Sequence, residues 1–273
     1  MDADPRPGTD HGLDLGLAGR TAVVTGASKG IGLAVTRALA RAGVHVVAAA
    51  RDTTDEIQEL ARTGMVEHVK VDLSTSTGAQ ELVAAAERRG PLDILVNNVG
   101  AVTPRTEGFL QVSDEQWWSS LTLNLMTAVR TTRAALPGML AAGGGAVVTT
   151  SSVNAFLPDP NVIDYSAAKA ALHNFCKSLS KEFGPRGIRV NTVSPGPVAT
   201  DLWLGDHGVA ATVASASGAD PRDVAAAAAA GSVTGRFTRP DEVADLVVYL
   251  ASARAANITG ADFTIDGGLT QTI

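Results

Sequence analysis

The chain has 273 residues, 45% of them apolar, a formal net charge of −6 and one cysteine, Cys176. That apolar share can bury a sizeable core and excludes a wholly disordered chain. The negative balance disfavours nucleic acid or an anionic membrane surface as the main partner, and a single cysteine excludes an internal disulfide.

The start, "MDADPRPGTDHGLDLG" (1–16), is acidic and rich in Pro and Gly. It lacks the basic-then-apolar order of a signal peptide and is expected to be a flexible tail. The apolar runs are too short or too charged to cross a membrane, so a cytoplasmic protein is expected. From there strand and helix alternate. Strands are predicted at 21–26, 44–50, 66–73, 92–98, 145–152, 188–195 and 261–268. Helices are predicted at 31–43, 54–64, 76–90, 113–139, 165–184 and 239–252. Gly43 and Gly184 read as helix stops, and Pro240 as a helix start. About seven strands alternating with helices predict a single-domain α/β fold over 17–273: a doubly wound parallel sheet covered on both faces. Ligands of such sheets bind beyond the strand C-terminal ends. Residues 200–238 break the rhythm with an insertion rich in Ala, Gly and Ser. Its alanine run 225–230 is expected to be helical, and the whole segment to act as a lid. Its few charges suit an uncharged, fairly hydrophobic substrate.

Chemistry enters at "TGASKGIG" (25–32), between the first strand and the first helix. Gly26 permits a tight turn; Gly30 and Gly32 let backbone and a helix N-terminus approach a pyrophosphate. The spacing is neither GxGxxG nor a Walker A loop. The bland alternative is a glycine-rich turn without ligand, but the strand-before, helix-after context favours a dinucleotide. The second strand ends in "AAARD" (48–52). Arg51 suits the 2′-phosphate of NADP, with Lys29 as a second cation. Asp52 competes as a ribose acceptor for NAD or as a helix cap. NADP(H) is favoured over NAD(H).

In "IDYSAAKA" (163–170), Tyr165 and Lys169 stand four apart on one helix face. A free phenol titrates near 10, and a neighbouring cation lowers that value toward the range useful in acid–base catalysis. An ordinary surface pair has the same spacing, so the rest of the chain must decide.

The motifs together resemble the single-domain short-chain dehydrogenase/reductases. The matching pieces are "TGASKGIG" (25–32), "VDL" (71–73), "NNVG" (97–100), "LTLNL" (121–125), "TSSV" (150–153), "YSAAK" (165–169), "IRVNTVSPGPVAT" (188–200) and "GADFTIDGG" (260–268), in the family's order over about residues 17–269. The resemblance implies that Tyr165 is the general acid or base, that Lys169 tunes it and binds the nicotinamide ribose, and that Asn124 holds a relay water. It implies a carbonyl-polarising serine: Ser152 by its distance from Tyr165, with Ser151 the lesser candidate. It places Gly26, Ser28, Lys29, Gly30, Ile31 and Gly32 at the phosphates, Asp72 and Leu73 at the adenine, and Asn98 and Gly100 along the cofactor. Pro195, Gly196, Val198 and Thr200 match the loop after the sixth strand, where the Val198 backbone would meet the carboxamide and the Thr200 hydroxyl a phosphate. Ala155 departs from a common family glycine and is expected to shape the substrate pocket, with Trp203 lining it.

The expected activity is interconversion of a small ketone and a secondary alcohol. An NAD-dependent alcohol dehydrogenase, a 3-oxoacyl-thioester reductase and a non-catalytic cofactor sensor are the alternatives. The resemblance also implies a homotetramer. The five histidines show no metal-ligand spacing, so no metal is expected. Trp117 and Trp118 are expected to pack a helix.

Overall fold

A computed structural model describes residues 14–272. Most of the tail expected at 1–16, with His11, lies outside the described residues. Residues 14–16 are held: Arg254 Nε donates to the Asp14 carbonyl at 2.7 Å, and Ala253 N to the Leu15 carbonyl at 3.1 Å.

Seven strands form one sheet: β1 (Thr21–Thr25), β2 (His45–Ala50), β3 (Val66–Lys70), β4 (Ile94–Asn97), β5 (Gly145–Thr150), β6 (Ile188–Pro195) and β7 (Asp262–Ile265). All pairings are parallel, in the order β3-β2-β1-β4-β5-β6-β7. The expected doubly wound sheet is present, and its order reverses between β1 and β4. The helices are α1 (Gly30–Arg41), α2 (Asp55–Arg62), α3 (Ser76–Glu87), α4 (Asp114–Leu121), α5 (Thr127–Ala141), α6 (Ile163–Phe183), α7 (Asp201–Leu204), α8 (Val209–Ser217), α9 (Pro221–Ala230) and α10 (Pro240–Ala251).

Strand alternation divides the core in two. Val24, Val46 and Val96 pack with Val35 and Leu39 of α1 and Val243, Val247 and Leu250 of α10. Val23, Val47 and Leu95 pack on the opposite face with Leu82 of α3, Met139 of α5 and Leu172 of α6. Each such aliphatic side chain contributes about 1.5–3 kcal/mol on full burial. The central strands β1, β2 and β4 are therefore mostly apolar, as a sheet covered on both sides requires, while β3 and β7 at the edges carry more polar residues.

Helix boundaries follow local chemistry. Thr54 and Thr75 cap α2 and α3, and Ser113 with Gln116 forms a capping box at α4. Gly184 caps the end of α6 as expected, in right-handed conformation (φ −56°), and the left-handed turn follows at Gly187 (φ +85°). The helix expected over 113–139 is interrupted by a π-helical turn at Thr122–Met126, centred on Asn124. Trp118, expected to pack a helix, is 69% exposed on α4. The insertion is three helices, α7 to α9, and its alanine run is helical as expected.

One buried ion pair fixes the frame around α6. Arg105, in the loop after β4, meets Asp164 in a fork, Nε to Oδ1 at 3.2 Å and Nη2 to Oδ2 at 2.5 Å. Asp164 is 2% exposed and directly precedes Tyr165. Arg105 N also donates to the Asn161 carbonyl at 2.6 Å. Arg105→Ala leaves a carboxylate buried without its partner, and the expected loss is about 3–5 kcal/mol in urea denaturation at pH 7. A loss below 1 kcal/mol would show that water replaces the guanidinium there without difficulty.

Candidate active site

The strand-order reversal opens a crevice between the ends of β1 and β4. Thr25 Oγ1 accepts from Asn98 N at 2.8 Å and Val99 N at 3.2 Å, which joins the two strand tips. Asn98 Nδ2 donates to the carbonyls of Thr25 and Gly26 at 3.1 and 3.3 Å. Gly26 (φ +64°) and Gly30 (φ +55°) take left-handed conformations in the turn. A Cβ on Gly32 would lie 2.1 Å from the Gly26 carbonyl oxygen. Gly32 is therefore required by the close approach of α1 to the turn, and it does not face the cavity.

A cavity of about 700 Å³ runs along this edge of the sheet. Of the residues expected at the cofactor, Gly26, Ser28, Lys29, Gly30 and Ile31 line it at the glycine turn. Arg51, Asp72 and Leu73 line the end beyond β2 and β3, and Asn98 and Gly100 the middle. Pro195, Gly196, Val198 and Thr200 line the opposite wall, where the Thr200 methyl comes within 3.2 Å of a Cβ position on Gly30. Asp52 is exposed and off the cavity, and Thr54 caps α2 in its place. Arg51 is exposed at the rim, close enough to lower the Asp72 carboxyl, after the larger effect of hydrogen bonds from Ser74. The residues present fit a phosphorylated dinucleotide. A glycine cradle too tight for side chains sits over a helix N-terminus, and two free-ended cations stand where the adenosine half would lie.

The other half of the cavity holds Ser151, Ser152, Tyr165 and Lys169. Lys169 is 3% exposed, and its Nζ donates to the Thr150 carbonyl at 2.9 Å. Burial with one neutral partner pulls the ammonium down to about 8. Its Nζ lies over the Tyr165 ring, 5.6 Å from the centroid. Burial pushes the Tyr165 phenol up, and a hydrogen bond with the Ser152 side chain draws it part of the way back. The expected lowering of Tyr165 by Lys169 is thus absent in the protein alone, because desolvation dominates and the cation sits against the ring. Ser152 Oγ also donates to Asn154 Oδ1 and accepts from Asn154 N, both at 3.2 Å. Ser151 Oγ is buried without a hydrogen-bond partner.

Asn124 does not line the cavity. Its Oδ1 accepts from Ala101 N at 3.0 Å, and its Nδ2 donates to the Ala101 carbonyl at 2.9 Å and the Ser120 carbonyl at 3.1 Å. The π turn swings this amide out of the helix ladder and onto the loop after β4. A Cβ on Gly100 would lie 3.0 Å from Asn124 Oδ1 and 3.4 Å from Lys169 Nζ. These three residues therefore pack as one unit. Ala155 sits in a 3-10 turn, Val153–Ala155, away from the cavity wall, whereas Trp203 lines it as expected.

Sequence reasoning missed several contributors. Phe237 meets Trp203 edge-on, ring centroids 5.5 Å apart, and Thr238 bonds the cofactor-side loop through Ala199 N and the Pro197 carbonyl. Leu269 reaches the cavity from the chain's end, and Val209 and Ala227 from α8 and α9. None carries a local motif; pairing across long sequence separations creates them. Among the described residues no group of three or more His, Cys, Asp or Glu could hold a metal ion, and no helix is long and apolar enough to cross a membrane.

Comparison with known proteins agrees with this geometry. A family model described as enoyl-(acyl carrier protein) reductase matches residues 26–270. The chain is 36% identical to oxidoreductase UcpA of Salmonella typhimurium, over 93% of this chain and 95% of that protein. It is 35% identical to L-xylulose reductase of Cavia porcellus, over 95% of this chain and all of that protein. The crystal structure of L-sorbose reductase from Gluconobacter frateurii, complexed with NADPH and L-sorbose, superposes with a TM-score of 0.87 at 35% identity, covering 96% of this chain and 100% of that one.

The lowered Lys169 value has a measurable sign. Its folded value lies below the unfolded one near 10.5, so the unfolded chain binds more protons between about pH 8 and 10 and stability rises with pH there. From pH 7.5 to 9.5 this lysine should add about 2 kcal/mol of unfolding free energy. Lys169→Met should remove that increment in urea melts at the two pH values. An unchanged increment would place the lysine in contact with water.

Proposed function

Since the chain belongs to the short-chain dehydrogenase/reductase family, we propose that it is an NADP(H)-dependent oxidoreductase that interconverts a ketone and a secondary alcohol. The observation that carries this reading is the cluster of Ser152, Tyr165 and Lys169 at one end of a cavity whose other end presents Arg51 and Lys29. NADP(H), when bound, supplies or accepts the hydride.

The protein's own groups do the rest. Tyr165 donates a proton to the carbonyl oxygen during reduction. A phenol, which titrates near 10 when free, carries its proton at neutral pH and can donate it. Ser152 hydrogen-bonds the same oxygen and holds the phenol in place. Lys169 offsets the negative charge that Tyr165 acquires when it gives up its proton. Asn124 fixes the loop at Ala101 and so fixes Gly100 against Lys169; a water relay through its neighbourhood belongs to the same reading. Arg51 and Lys29 take the 2′-phosphate, and Asp72 and Leu73 the adenine. The position of Asp52 off the cavity weighs against the NAD-dependent alternative. NADPH in the sorbose reductase structure and NADP bound to a related Beutenbergia cavernae protein support the preference.

Residues 200–238 act as a lid on this site. A cytoplasmic setting fits the single free, buried Cys176. A homotetramer fits the exposed Leu110 and Trp118 beside and on α4.

Tyr165→Phe should reduce kcat by at least about 100-fold, the range of a lost general acid, while NADPH still quenches or shifts protein fluorescence as in the parent. Retained turnover would remove the acid role. Arg51→Asp should raise KM for NADPH at least tenfold more than KM for NADH, roughly the value of one charge-assisted contact. Equal effects on the two coenzymes would remove Arg51 from the 2′-phosphate.

A further inference from the structure

The cavity is electrostatically two-ended. The cations that line it, Lys29, Arg51 and Lys169, stand at the dinucleotide positions or beside Tyr165. The wall beyond Ser152 and Tyr165 is built from Leu157, Val162, Leu202, Trp203, Val209 and Ala227, drawn from the loop before α6 and from α7, α8 and α9. We infer that the substrate of this site is an uncharged, predominantly apolar ketone whose carbonyl alone is polar, and not a polyol ketose or a ketoacid. The inference rests on the reductase reading above and names its substrate class.

The few polar side chains at this end are largely committed to their own loop. Asn154 gives its amide to the Leu157 carbonyl at 3.3 Å and receives the Ser152 hydroxyl at 3.2 Å. Asp159 Oδ1 accepts from Asn161 N at 2.8 Å and Nδ2 at 3.1 Å, which caps the short turn before α6. Its second oxygen could receive one hydroxyl. The Asp201 carboxylate at the same end could receive another, and any hydroxyl beyond those would lie against aliphatic wall, where one desolvated without a partner costs roughly tenfold or more in binding. A carboxylate fares worse. Asp159 and Asp201 both line this end, and the one nearby guanidinium, Arg105, is buried in its fork with Asp164. The same wall gives an alkyl or aryl group continuous apolar contact, including the Trp203 ring, held edge-on by Phe237. These observations set the chain apart from its relatives named for sugar ketones.

The test is NADPH consumption with three ketones of similar size: 2-hexanone, levulinate and erythrulose. Levulinate replaces the alkyl end of the first with a carboxylate. Erythrulose carries three hydroxyls and is too short to close a stable ring, so its carbonyl stays available. The expected kcat/KM for 2-hexanone exceeds that for erythrulose by about tenfold or more, one unpaired hydroxyl at about tenfold, and that for levulinate by at least as much. Turnover of erythrulose or levulinate at or above that of 2-hexanone overturns the apolar assignment and leaves the reductase reading standing. No consumption with any of the three overturns both. Leu157→Lys, at a half-exposed wall position, tests the wall itself: levulinate kcat/KM should rise at least tenfold with KM for NADPH changed less than twofold. No gain with levulinate would take Leu157, and the wall it represents, out of the substrate's reach.

Discussion

A buried ammonium with one neutral partner sets the terms for this site. Lys169 Nζ is enclosed, and the contact that holds it is the Thr150 carbonyl at the tip of β5. A charge so placed is costly unless its surroundings are rigid and shaped to it. The surroundings have that character. Gly100 lies so close that a Cβ would crowd Asn124 Oδ1 at 3.0 Å, and Asn124 locks the adjoining backbone from both its amide atoms. The π turn that presents Asn124 costs regular helix, and the return is a loop that cannot drift away from the lysine. The Arg105–Asp164 fork pins the same loop to the first turn of α6 from the other side. Tyr165 lies between these two restraints.

The phenol's behaviour follows from that enclosure. With Lys169 over its ring face, Tyr165 responds first to burial, and its proton is held more tightly than in water. Such a phenol is a hydrogen-bond donor at neutral pH. Its charge demand arises only once the proton has gone, and a nearby ammonium, easily deprotonated itself, stands ready then.

Much of this was legible in the sequence, for identifiable reasons. Parallel strands buried on both faces must be apolar runs, so β1 to β6 announce themselves, as do the helices between them. Glycines at 26 and 30 mark positive φ, and the Tyr165–Lys169 spacing marks one helix face. What could not be read has the opposite character. Arg105 finds Asp164 59 positions away, and Thr238 returns to bond the loop at 197–199 across the whole insertion. No periodicity encodes such pairings. The expected lowering of the Tyr165 phenol was not found for a related cause: helical spacing reports which side chains are neighbours, but not that the cation lies over the ring or how far the phenol is desolvated. Ala155 failed as a wall residue because the 3-10 turn after Ser152 carries it off the cavity.

The insertion shows how one fold acquires a particular pocket. Its two ends lie side by side, joined by Ala199 N to the Thr238 carbonyl and Thr238 N to the Pro197 carbonyl, with Trp203 against Phe237 just inside. Helices α7 to α9 thus leave from and return to one short strip at the cavity. The C-terminal turn completes the arrangement: Thr234 N bonds the Gly267 carbonyl, and Leu269 enters the cavity. The sheet edge and α6 supply the polar chemistry, from backbone that the fold holds rigidly. The insertion supplies shape from small and apolar side chains on short helices tied down at their ends. Substitutions in the second set can change what is bound with little effect on the first, because the insertion is tied to the sheet edge at its ends, along the strip at 197–203 and 237–238 and at Thr234.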